Sequence, residues 1–186
     1  MKTLVAPITV KGNLTIDSGA SFDAGSQILT LEGNWINNGA LITPSASTII
    51  VTGTGKTITG NNTFNRFSVF GSYTLLNNTT FDSLLTVNAG GSFNAGSTIT
   101  VTMNGDFINK GILNILGTTT FTGNRLQTLS LINAVQTVAI TVNFNGSVSP
   151  VLNSTSAPQY GNLNINNTGG VNPSVDWTIA NFLSVG

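Results

Sequence analysis

With neither cysteine nor histidine in its 186 residues, the chain has few groups able to do chemistry: six carboxylates, six cations, and many hydroxyls and amides. A thiolate nucleophile, a Ser-His-Asp triad and a zinc site of the usual kind are excluded. The carboxylates are Asp17, Asp23, Glu32, Asp82, Asp106 and Asp176. Glycoside hydrolysis needs two of them on one cleft. Asp17 and Asp23 flank one corner, but Asn88 and Asn94 take their places in a later repeat. The corner therefore accepts acid or amide alike, and the expected role is a side chain bonding its own backbone. Asp106, standing where the earlier repeat has Asn34, is read in the same way. Corner Asp and Asn also offer hard oxygen ligands to calcium, yet the glycine-rich nonapeptides of calcium-binding β-rolls are missing. No catalytic residue, metal or cofactor is assigned, and the chain is read as not an enzyme. A glycan-cleaving alternative requires Asp17, Asp23 and Lys11, or Tyr73 and Arg66, to share one exposed groove.

Other side chains suit binding. Aromatic residues stack on sugars when exposed, and the candidates are Trp35, Tyr73, Tyr160 and Trp177. Trp35 aligns with Phe107, which points to the interior, so Tyr73 and Tyr160 are the expected surface glycan contacts. Thr-x-Thr occurs at 52–54, 57–59, 98–100 and 100–102. Some ice-binding solenoids carry that motif on nearly every coil; here it skips most of them, and ordinary outward Thr on strands is the expected reading. With charged residues at 6% and a formal net charge of zero, no basic footprint for a nucleic acid exists. No apolar run is long enough to span a bilayer as a helix.

The elements that position these residues are short strands. Thr, Asn, Gly and Ser dominate the composition, which disfavours helices. Apolar–polar–apolar triplets recur instead, at Leu14–Ile16, Leu29–Leu31, Ile49–Val51, Phe67–Val69, Leu85–Val87, Ile99–Val101, Leu113–Ile115, Leu129–Leu131, Ile140–Val142 and Leu163–Ile165. Most are roughly 14 to 20 residues apart, a solenoid rhythm. A longer repeat lies over it: the segment 14–41 aligns with 85–113, with a single insertion near Val101. Gly19/Gly90, Gly25/Gly96, Gly33/Gly105 and Gly39/Gly111 fall at its corners, where positive φ or close backbone approach is needed. Phe22/Phe93 and Trp35/Phe107 fall between corners as core. More weakly, 64–69 matches 160–165, and 182–185 matches 83–87. The chain is thus one solenoid segment, 1–186, with long repeats about 12–82 and 83–186 and an irregular insertion about 126–158. The expected fold is a right-handed parallel β-helix. A β-sandwich is the alternative, with Asn38-Gly39, Asn104-Gly105 and Asn145-Gly146 as hairpin turns.

The phrases GNLTIDSG at 12–19, GNWINNG at 33–39 and TGTGKTITG at 52–60, followed by TFNRF at 63–67, resemble the repeats of very large secreted surface proteins of Bacteroidota. Those proteins are adhesin-like, β-helical and commonly exported by the type IX system. The resemblance implies an extracellular or cell-surface location and a structural or adhesive role. Asp82-Ser83-Leu84 resembles the O-glycosylation motif of that group. Met1 to Val5 lacks signal-peptide features. Neither end resembles a polar cap, so the expected partners are neighbouring repeats of a longer chain or further copies stacked end to end, with surface glycans as candidate ligands.

Overall fold

The computed structural model describes residues 2–39, 46–132, 135–136, 141–155 and 158–186. Leu41, Ile140 and Ser156, each part of an expected strand or loop, lie outside them. The described residues form a β-solenoid of about eight turns with no helix. Every strand pair in it is parallel, which excludes the sandwich and its hairpins.

Three flat faces build each coil. Face I is a seven-stranded sheet: Leu14–Ile16, Trp35–Asn37, Lys56–Thr59, Ser72–Leu75, Ser92–Ala95, Ile112–Ile115 and Val135–Gln136. The second sheet has thirteen strands and bends through the long strands Asn62–Val69 and Thr79–Val87, dividing into two faces. Face II runs from 62–64 and 79–81 through Thr100–Met103, Thr118–Phe121 and Thr141–Phe144 to 162–165 and 182–185. Phe22–Asp23 pairs with Lys2–Thr3 in a separate two-stranded sheet. Face III runs from Ile8–Val10, Ile28–Leu31 and Thr48–Val51 through 66–69, 84–87, Asp106–Asn109 and Thr128–Leu131 to Val151–Ser154.

Alternation decides what enters the core, because successive strand residues point to opposite sides. On face III, Leu29, Ile49, Phe67, Leu85, Phe107, Leu129 and Leu152 stack in one buried ladder. On face II, Phe64, Phe81, Met103, Phe121 and Phe144 do the same. Between the faces the rings interlock: Trp35, Phe64, Phe67, Phe81 and Phe93 have centroids 4.6 to 6.3 Å apart. A second column joins Phe107, Phe121, Phe144, Trp177 and Tyr160. Trp35 is fully buried, as expected from its pairing with Phe107.

The register explains the long repeat in a way the sequence does not. Leu14–Ile16 lies on face I, whereas its counterpart 85–87 lies on face III. Ile28–Leu31 lies on face III and its counterpart Thr100–Met103 on face II; Trp35 is on face I and Phe107 on face III. The matches of 64–69 with 160–165, and of 83–87 with 182–185, shift by one face in the same sense. The path from Leu14 to Leu85 thus makes three full turns and then crosses two further faces. The inward and outward sense of each residue is kept while its face changes. On face III, one coil separates the register partners Ile49 and Phe67, and another separates Leu129 and Leu152, so coil length varies along the stack.

Within the stretch 126–158, Thr128–Leu131 and Thr141–Phe144 coincide with or overlap expected triplets, while Val151–Ser154 is a further strand that no triplet marked; all three pair into faces II and III.

Corners are closed by Asx–Gly turns. The side-chain oxygens of Asp23, Asn37, Asn109 and Asn167 accept from the N–H two residues on, at Gly25, Gly39, Gly111 and Gly169, over 2.8 to 3.4 Å. Gly105 serves differently: its φ is not positive, but a Cβ there would run into the Ser83 carbonyl of the coil below. Asn104-Gly105 is thus a corner, not a hairpin. Around Gly12, by contrast, a Cβ would meet nothing. We expect Gly105→Ala to destabilise by at least about 1–3 kcal/mol, as overpacking does, and Gly12→Ala to change stability little. Urea midpoints of the two variants measure this.

Candidate functional site

The carboxylates and aromatic residues are scattered or absorbed into structure. Asp23 turns to its own backbone through the Gly25 N–H. Glu32 pairs with Lys11 at 3.4 Å, an exposed contact. Asp82 accepts from Asn104 Nδ2 at 2.7 Å. Asp106 accepts from the Thr128 N–H at 2.8 Å and lies 3.8 Å from Arg125, whose guanidinium also donates to the Ser83 carbonyl. Asp17 lines an open groove of about 280 Å³ with Lys2, Leu14 and Phe22; neither Asp23 nor Lys11 lines it. Among the described residues no three acidic side chains gather in a way that could hold a metal, and no helix is long and apolar enough to cross a membrane.

Tyr73 and Tyr160 require correction, since both expected glycan contacts are interior. Tyr73 points into the coil on face I, in register between Lys56 and Phe93, and is fully buried. Its Oη lies 3.0 and 2.9 Å from the Leu31 and Gly33 carbonyls, which share its one proton, and accepts from the Gly53 N–H at 3.3 Å. The phenol thus stitches a corner across two coils. Arg66 is exposed on face III, so Tyr73 and Arg66 do not share a groove. Tyr160 is 2% exposed, its ring standing edge-on to Trp177 at 5.3 Å. The sequence error has one cause: a Tyr flanked by polar residues looks like surface, whereas strand alternation buries every second position whatever its neighbours.

The most regular outer surface is face II. One outward column runs Thr63, Thr80, Thr102, Thr120, Asn143, Asn164 and Ser184 in unbroken register. Beside it runs Thr100, Thr118, Thr141 and Asn162, ending at Phe182. Parallel strands set hydroxyls about 4.8 Å apart along each column and about 6.6 Å apart across the two. The amides lock the array: Asn143 Nδ2 donates to Thr120 Oγ1 at 3.2 Å, Asn164 Nδ2 to Asn143 Oδ1 at 2.7 Å, and Asn162 Nδ2 to Thr141 Oγ1 at 2.9 Å. Neither column contains a charged residue. A shallow groove of about 280 Å³ crosses it between Asn61, Thr63, Asn78, Thr80, Thr100 and Thr102. Faces I and III are less uniform, with Ile36, Ile50, Ile108 and Arg66 interrupting their outer rows. Of the four Thr-x-Thr motifs named from the sequence, only 100–102 lies wholly in this array. Thr118-Thr119-Thr120 in the next coil has the same spacing and continues both columns, its central Thr turning inward.

Comparison of the chain with protein-family models, with curated proteins and with solved structures finds no match.

The two tyrosines give the molecule a pH limit. Burial raises both hydroxyls above their ordinary value near 10, opposed at Tyr73 by the Gly53 bond. In the unfolded chain both ionise near pH 10 while the folded chain still holds their protons. The folded state then binds more protons, so stability falls as pH rises above about 10. Below that pH the two phenols leave stability unchanged. Denaturant titrations from pH 8 to 11.5 test this, and Tyr73→Phe with Tyr160→Phe is expected to flatten the alkaline decline. At neutral pH, Tyr73→Phe is expected to cost about 1–3 kcal/mol by unpairing buried backbone groups.

Proposed function

We propose that the chain is a structural and adhesive β-solenoid segment of an extracellular surface protein, without catalysis. The observation that carries this reading is the unbroken parallel register of face II, which turns a low-charge sequence into a flat, neutral hydroxyl and amide surface on a stiff stack. Such a surface suits many weak contacts better than one tight pocket. The carboxylates support the same reading, since Asp23, Glu32, Asp82 and Asp106 are engaged in turns, ion pairs and backbone bonds. The resemblance to Bacteroidota surface repeats supports the location.

The upper edge of face II supports stacking. Leu183 and Val185 continue the inward ladders of Leu163 and Ile165 yet are 53% and 70% exposed, and Phe182 beside them is 50% exposed. An apolar rank next to an unpaired strand edge favours one more coil above it.

Negative-stain microscopy and light scattering over a concentration series, with a reducing-sugar assay on a panel of polysaccharides, test the proposal. The expected result is straight rods or unbranched filaments and no release of sugar. Flexible or irregular particles, or sugar release that Asp17→Asn abolishes, would overturn it.

A further inference from the structure

The interior contains a polar site that the apolar ladders do not explain. Thr119 points inward on face II, between Val101 below and Val142 above. It is 5% exposed, and its Oγ1 has no protein partner. Among the described residues, the other buried hydroxyl without a partner is Tyr160 Oη, which enters the same region from a higher coil. Both residues line one cavity of about 20 Å³, lined otherwise by apolar side chains that include Phe107, Phe121, Leu129 and Val142.

Each unmade hydroxyl bond in such surroundings is costly, because the group has been taken from water with nothing in exchange. A cavity of this size admits one water molecule, and a buried water needs at least two polar partners. The site offers two, each able to donate and to accept. A wholly apolar cavity of equal size would stay dry. We infer that this cavity is a binding site for one water molecule bridging Thr119 Oγ1 and Tyr160 Oη. The bridge links a coil near the middle of the stack to the one carrying 159–165, and so gives the upper part of the apolar core a polar fastening. This inference is independent of the proposed adhesive role.

A high-resolution crystal structure of the chain gives the direct test. The expected result is a single solvent peak within hydrogen-bond distance of both oxygens; a dry cavity, or a peak bonded to one oxygen alone, would overturn the assignment. Thr119→Val and Tyr160→Phe keep side-chain shape, and with their double variant they complete a cycle of urea midpoints. A bridging water predicts that the second substitution lowers the midpoint less than half as much once the first is present. Equal lowering in either background would overturn the bridge even where the crystals diffract poorly.

Discussion

Among the described residues, a strand has no partner within its own coil. Its N–H and C=O groups are satisfied by the coil below and the coil above, through parallel ladders that run the height of each face. This constraint shapes everything else. Coils about 4.8 Å apart leave no room for a Cβ at Gly105, where the Ser83 carbonyl approaches. A residue in register with a core position above and below must itself be apolar or carry its own hydrogen bonds. Asn62 shows the second solution: it accepts from Trp35 Nε1 and Asn37 Nδ2 and donates to the Thr59 and Gly60 carbonyls. Gln127 does likewise on a longer corner, accepting from the Gly123 N–H and donating to the Met103 and Gly105 carbonyls.

The same constraint accounts for the rotated repeat. A stacked strand needs neighbours that share its inward and outward pattern, and the ladder is indifferent to which of three faces supplies it. The segments 14–37 and 85–109 therefore keep their alternation while moving by one face. Because of this, Trp35 does not stack over Phe107 in one column: Trp35 packs against Phe64, and Phe107 against Phe121. The outward Thr of 100–102 likewise meets Thr118 and Thr120, not its own counterpart, Thr30.

Polar residues divide between two tasks. Amides and acids at corners bond the backbone and add to the turn hydrogen bonds that corners such as Ala24–Gln27 and Asn167–Gly170 make. Those on the flat faces bond along the stack, as Asn143 and Asn164 do, and stiffen the surface without adding charge. Four carboxylates, those of Asp23, Glu32, Asp82 and Asp106, are engaged in such contacts or in ion pairs.

The alternation of apolar and polar residues, the spacing of the triplets and the corner role of Asp23 were legible in the sequence, because each depends on a few consecutive residues. So were the interior place of Trp35 and the short-strand, all-β class. The burial of Tyr73 and Tyr160, the strand Val151–Ser154 and the threonine columns of face II were decided only by the folded chain. The coil from Ile49 to Phe67 is shorter than the coil from Leu129 to Leu152, so which triplets meet depends on the width of every intervening corner. Local pattern determines whether a side chain points in or out. Which neighbours it finds there is set by the accumulated path of the chain around the stack.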